Sequence, residues 1–304
     1  MKNDVLIHGM LLNNTIRFAA IDGTKLVSDA KAMHFLSRVA TAALGRQLMI
    51  TTIAASLCKN DSDTVTTIIA GNGPAGNLVC VGRSGRLVKG YATNPEDELP
   101  IRADGKLDVS GYVGMPGKLT LIRDLGLKEP YVGTCHLVSG EIAEDFAQYF
   151  TVSEQQPSIV YLGVHEKAED GDVTGAGGLL IQTMPNCPDE SIDKVMSAAD
   201  RIAKLGSELS EGKGLRSVLD AIFEGLDPVY TEERIPELSC DCSRSRLERA
   251  LISIGEKELR EMIEEDGYAE LTCQFCGKHY RFDRDELTAL LQEATQYGGD
   301  DEAQ

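Results

Sequence analysis

The sequence predicts an α+β fold: an N-terminal α+β domain on a mixed or antiparallel sheet, a helical linker, and a small C-terminal module. Three observations carry this prediction. β-branched or alternating runs separated by Gly-rich turns fill the first part of the chain. Two apolar stripes at helical spacing follow a double-proline break. Two closely spaced cysteine pairs then mark the C-terminal end.

The runs Val65–Ile69, Asn77–Val81 and Arg86–Tyr91 are separated by the turn clusters Gly71–Gly76 and Gly82–Gly85, which predicts antiparallel hairpins. Further strands are expected at Lys118–Ile122, Tyr131–Val138, Ile159–Val164 and Gly178–Thr183, with helices over Ala32–Leu57 and Ile142–Phe150. Pro185 and Pro188 stop regular pairing, so the N-terminal domain is expected to span residues 1–183. Residues 184–239 read as the helical linker. Its stripes are Ile192, Val195, Met196, Ala199, Ile202, Ala203 and Leu205, then Leu215, Val218, Leu219, Ile222, Phe223 and Leu226. Both need apolar cover and are expected to find it on the N-terminal domain. Thr231–Glu237 reads as a turn-rich acidic stretch. Residues 240–304 are too few for a hydrophobic core alone to be comfortable, so this module needs a staple.

Charge and composition narrow the function. The 304 residues carry a net charge of −18, against the counterion-release mechanism by which proteins bind nucleic acids. Aromatics make up 5% and Trp is absent, so base stacking is poorly supplied. The acidity is uneven: residues 181–304 hold 28 acidic and 14 basic side chains. Such a surface is expected to favour solubility by self-repulsion. The longest apolar region, Ala40 to Leu57, is interrupted by Arg46, Gln47, Thr51, Thr52 and Ser56, so no membrane span is expected. The N-terminus has no signal-peptide pattern, and the chain is read as cytoplasmic. Thiols stay reduced there, which turns a cysteine cluster toward metal or redox sensing.

The strongest chemical signal is Cys240-Asp241-Cys242 followed, after thirty residues, by Cys273-Gln274-Phe275-Cys276-Gly277. Four thiolates complete a tetrahedron around one Zn²⁺, and paired spacings let each turn supply two ligands. Cys240, Cys242, Cys273 and Cys276 are therefore the expected metal ligands, in a small C-terminal zinc-binding domain. Gly277 suits a positive φ just after the last ligand, and Tyr268–Thr272 with His279–Phe282 would form a flanking hairpin. Cys-x-Cys is unusual in zinc ribbons and brings two thiols close enough for a small, strained disulfide when metal leaves. Spacing alone leaves an inert structural metal and a redox switch equally open.

Other motifs carry less. Gly71-Asn72-Gly73-Pro74-Ala75-Gly76 matches the dinucleotide fingerprint, but a strand follows it where a phosphate-binding helix should begin. It reads as a hairpin turn; no Walker lysine motif appears, and no nucleotide is expected. His8, His34, His136 and His165 have no metal or triad spacing, and His279 stands beside a set of four ligands already complete. Cys58, Cys80, Cys135 and Cys187 lack paired spacing and read as small apolar residues. A zinc-ribbon module for RNA would want a basic face, whereas residues 240–304 hold 16 acidic and 8 basic side chains. A thiol–disulfide oxidoreductase would place Cys273-x-x-Cys276 at a helix start beside a βαβ unit rather than in a knuckle hairpin.

Taken together, these residues resemble the heat-shock protein 33 (33 kDa chaperonin) family of redox-regulated bacterial chaperones over nearly the whole chain. The most specific part is the Cys-x-Cys and Cys-x-x-Cys pair around Met262–Gly267. Thr41–Arg46, Gly71–Gly76, Gly90–Pro95, Lys106–Val109 and Leu137–Glu141 support it. The family usually shows an aromatic shortly before its first cysteine, where this chain has Glu237-Leu238-Ser239. The resemblance implies an ATP-independent holdase, not an enzyme, that is inactive while reduced and bound to one zinc ion. It implies that oxidation joins Cys240 with Cys242 and Cys273 with Cys276, releases zinc, unfolds the tail and linker, and yields a homodimer that holds unfolding client proteins.

Overall fold

The computed structural model describes residues 3–298, which fall into two compact units that divide between Ser239 and Cys240. The first unit begins with the strands β1 (Val5–Leu11) and β2 (Ile16–Asp22) and the helices α1 (Thr24–His34) and α2 (Arg38–Ser56). Next come β3 (Thr64–Ala70), β4 (Asn77–Arg83), β5 (Leu87–Ala92), α3 (Val109–Val113), β6 (Lys118–Asp124) and β7 (Tyr131–His136). Then follow α4 (Ala143–Ser153), β8 (Ser158–Glu166) and β9 (Val173–Thr183). Four short helices, α5 (Asp189–Met196), α6 (Ala199–Ile202), α7 (Leu205–Ser210) and α8 (Leu215–Ile222), lead to β10 (Val229–Arg234) and β11 (Glu237–Leu238).

The strands form two sheets. One is antiparallel in the order β10-β1-β2-β9-β8; the other, β11-β5-β4-β3-β6-β7, is mixed because the short β11 runs parallel to β5. The α+β class with a mixed sheet is therefore observed. Helix α2 lies between the sheets, and 17 of its 19 residues are buried, which is the fate of a helix that is apolar all round. Several of its buried polar groups are paired: Gln47 Nε2 donates to the Thr67 and Leu78 carbonyls at 3.1 Å, and Thr51 and Thr67 share a 2.6 Å bond, while Gln47 Oε1 has no partner.

The continuous helix expected over Ala32–Leu57 is two helices. Phe35 takes a left-handed conformation (φ 53°), and Ser37 starts α2 by accepting a bond from the Ala40 amide at 3.1 Å. Apolar spacing runs through the break, so periodicity conceals what a serine cap reveals. The β1–β2 hairpin has no counterpart in the sequence reading, though its turn, Leu12-Asn13-Asn14, has positive φ throughout, a conformation that asparagine tolerates.

Thr231–Glu237, read as turn-rich, instead supplies most of β10 and the start of β11. An edge strand pairs through its backbone and can remain polar, so an acidic composition did not exclude it. Gly71–Gly76 is the turn between β3 and β4, with Ala70 opposite Asn77. A Cβ at Gly71 would lie 2.0 Å from the Val113 carbonyl, and the Gly73 amide donates to that oxygen at 2.9 Å. These glycines permit backbone contact with α3. The Leu137–Glu141 loop wraps the buried Asp145 carboxylate, which accepts amides from Val138, Ser139, Gly140 and Ile142 at 2.7–3.3 Å.

Residues 189–226 cover the outer face of the antiparallel sheet. Val195, Ile202, Leu205, Leu215, Leu219 and Phe223 meet Ile7, Leu11, Phe18, Leu179 and Ile181 in one cluster, distinct from the core around α2. Phe18 is its hub, 4.7 Å from the Phe223 ring and 5.7 Å from the Tyr230 ring.

His8, in β1 opposite Glu232 of β10, is half-buried, and its buried Nε2 has no hydrogen-bond partner. Burial, then the Arg234 guanidinium, pushes its pKa down to about 4 from the ordinary 6.5. An unfolded chain binds this proton below pH 6.5 while the fold refuses it until about pH 4. Stability therefore falls as pH drops through that window and is fully present above it. His8→Gln is expected to flatten that part of a denaturant-midpoint profile taken between pH 8 and 4. An unchanged slope would place the acid sensitivity elsewhere.

The second unit contains α9 (Arg244–Ile254), α10 (Glu256–Glu265), the hairpin β12 (Tyr268–Thr272) and β13 (His279–Asp283), and α11 (Arg284–Gly298). Its core is small: Leu251, Leu259, Ala269, Tyr280, Phe282, Leu287 and Leu290 are its buried members.

Candidate metal centre

Local structure in the second unit brings four sulfurs together. Between β12 and β13 the chain turns with the Cys273 amide donating to the Lys278 carbonyl at 3.0 Å. The Cys276 and Gly277 amides donate back to the Cys273 carbonyl at 3.3 and 2.8 Å. Gly277 has φ +70° with open space where a Cβ would stand, so positive φ alone requires glycine there. Both cysteines of this turn thus sit at the end of a hairpin whose register is fixed by Thr272 opposite His279.

The other pair precedes α9, whose N-cap Ser243 accepts the Arg246 amide at 3.3 Å. Arg246 reaches back to Asp241, between the two cysteines, at 2.8 Å. Arg244 donates to the Arg281 carbonyl at 2.9 Å and to Glu286 at 2.5 Å, with its guanidinium 4.2 Å from the Phe282 ring centre. The start of α9 is thereby fastened to β13 and α11, which sets Cys240 and Cys242 against the hairpin turn.

All four Sγ atoms lie within 4.8 Å of one another. Cys240 is 3.7 Å from Cys273, and Cys242 is 3.4 Å from Cys276. Zinc–sulfur bonds of about 2.3 Å give a tetrahedron with edges of about 3.8 Å, so the spacing fits one such ion. The protonation chemistry fits as well. Burial pushes the Cys240 thiol up to about 12 and also raises Cys276, whereas Cys242 is drawn down to about 7, chiefly by the Tyr280 hydroxyl. Four crowded sulfurs become thiolates together only when a cation neutralises them. Neighbouring backbone amides, of Cys242 toward Cys240 and of Lys278 toward Cys276, act in the direction opposite to burial and lower the two pKa values.

Tyr280 was not singled out in the sequence. Its hydroxyl lies 3.3 Å from Cys242 Sγ and 3.4 Å from the Cys242 carbonyl, a partner that orients a ligand from behind. Its position in β13, two residues inside a predicted hairpin, was the available signal. His279 stands outside the sulfur set; its Nδ1 meets Thr272 Oγ1 at 2.9 Å, and it is exposed. Cys58, Cys80, Cys135 and Cys187 all lie in the first unit; Cys80 is fully buried, which raises its thiol pKa further.

The model of the Hsp33 protein family matches residues 4–283. The chain belongs to the Hsp33 family. It is 42% identical over 290 residues to the 33 kDa chaperonin of Clostridioides difficile (strain 630), spanning 95% of this chain and 99% of that protein. It is 44% identical over 293 residues to the 33 kDa chaperonin of Alkaliphilus oremlandii (strain OhILAs), spanning 96% and 97%. A solved structure, the Hsp33 homologue from Thermotoga maritima, superimposes with a TM-score of 0.86 at 34% identity, covering 97% of this chain and all of that one. Hsp33 membership gives the chain a chaperone role. Among the described residues no helix is long and apolar enough to cross a membrane.

Proposed function

We propose that the chain is an ATP-independent holdase, kept inactive in its reduced form by one zinc ion on Cys240, Cys242, Cys273 and Cys276. The supporting observation is the cluster of four sulfurs within 4.8 Å in a unit whose apolar core has seven buried members among the described residues. Bound there, Zn²⁺ would neutralise the thiolates and tie the start of α9 to the β12–β13 turn. A peroxide-class oxidant takes two electrons from each cysteine pair. With hydrogen peroxide, one S–S bond forms per pair as the O–O bond breaks, and the two oxygens leave as two waters after taking up the pair's two protons. The family resemblance gives the pairing as Cys240 with Cys242 and Cys273 with Cys276. Disulfide sulfurs no longer serve as thiolate ligands, so metal loss and unfolding of the second unit follow.

In this reading residues 1–183 are the chaperone core, 184–239 a releasable linker and 240–304 the redox switch. Release of α5–α8 uncovers the apolar sheet face around Phe18, which unfolding client proteins then occupy. The active form is a homodimer in the cytoplasm, and the work requires no nucleotide, nucleic acid, membrane or catalytic residue. The test follows zinc per chain and suppression of client light scattering together, without nucleotide, before and after peroxide with mild heat. About one zinc and no suppression should give way to little zinc and strong suppression. Suppression independent of zinc loss would reduce the cluster to an inert structural site.

A further inference from the structure

We propose that the edge of β1 now covered by β10 is a docking site for an extended segment of an unfolding protein, which adds to the sheet as a strand. The proposal deepens the reading above, because β10 must leave before that edge is available.

β10 is held by its backbone more than by its side chains. Five of its residues pair with β1, from Arg234 opposite Leu6 to Val229 opposite Met10. Val229, Thr231, Glu232 and Glu233 are exposed. Two side chains anchor the strand. Tyr230 rests on Phe18 and donates its hydroxyl hydrogen to Asp220 at 2.6 Å. Arg234 donates to the Ser56 carbonyl at 3.3 Å and to the Ser84 carbonyl. An occupant that offers mainly main-chain groups can be replaced by other sequences, since every residue but proline carries the same donor and acceptor.

The surface beside the edge selects among those sequences. Ile7 and Leu11 of β1 and Phe18 of β2 are the edge-side part of the apolar face that α5–α8 cover. A segment paired with β1 sets alternate side chains over this face, at the place where Tyr230 now meets Phe18. The fitting partner is therefore an extended stretch with apolar residues at every second position, which an unfolding protein exposes and a native one buries. β10 is the chain's own stand-in for that partner, polar enough not to aggregate when free.

Hydrogen exchange on the full-length chain tests this, with reduced, carboxymethylated α-lactalbumin as a permanently unfolded client. Peroxide treatment should speed exchange of the β1 amides that face away from β2 at least tenfold, and added client should restore at least tenfold protection to residues 5–11. Glu233→Pro, at an exposed position opposite Ile7, should free the same edge without oxidant. Docking is thus tested even if oxidation fails to release β10, an outcome that would count against the redox reading alone. Client capture by either chain with residues 5–11 still exchanging freely overturns the proposal. So does protection that appears without client and grows with chain concentration, which would assign the edge to a second copy.

Discussion

Cys273→Ser should leave the chain with less than a tenth of its zinc and strip exchange protection from residues 244–290, while the core around α2 keeps its own. A serine hydroxyl stays protonated at neutral pH, so the site drops to three sulfurs and an unneutralised hole. The scale is large: structural zinc contributes about 10–16 kcal/mol in small zinc-dependent peptides, against a net stability of about 5–15 kcal/mol for a whole domain. Seven buried apolar side chains cannot replace that contribution. The same variant should hold clients without any oxidant. Atomic absorption, exchange mass spectrometry and light scattering check the three parts. A zinc-free variant with a fully protected tail would show that apolar packing, not metal, holds the second unit.

The second large effect is expected at Leu219→Glu. Leu219 is fully buried where α8 meets the antiparallel sheet, on the same stripe as Leu215, Val218 and Ile222. Losing its packing costs about 2–5 kcal/mol, and burying a carboxylate there adds more, so undocking α8 is the cheaper outcome. The reduced, zinc-loaded variant should bind a hydrophobic dye and suppress client aggregation without peroxide, whereas Ser217→Glu, on the exposed side of α8, should behave as the parent. A Leu219→Glu chain whose residues 215–226 exchange freely but which captures nothing would remove this face from the chaperone surface.

What the sequence revealed depended on whether the physics was local. The β3–β4–β5 strands were legible because alternating side chains and glycine turns are local signals, and the four cysteines because thiolate pairs have a characteristic spacing. β10 was not legible, since an edge strand takes its stability from a partner more than 200 residues away in sequence. The division of α1 from α2 turned on Phe35 and Ser37, against an apolar period that ran straight through. Tyr280 belongs to the site only because folding of the second unit carries its hydroxyl to Cys242. Asp145 likewise gathers four amides from a loop that composition marks only as turn-like.

The antiparallel sheet joins the two ends of the first unit, with Ile21 of β2 facing Gly178 of β9 and Leu6 of β1 facing Arg234. During translation the opening hairpin must wait for its neighbours, about 10–30 s at ordinary synthesis rates. High contact order makes such a sheet slow to assemble, whereas the metal module draws on residues close together in the chain. Under the function proposed above, the slow architecture is complete before any oxidant arrives, and only the local part has to respond.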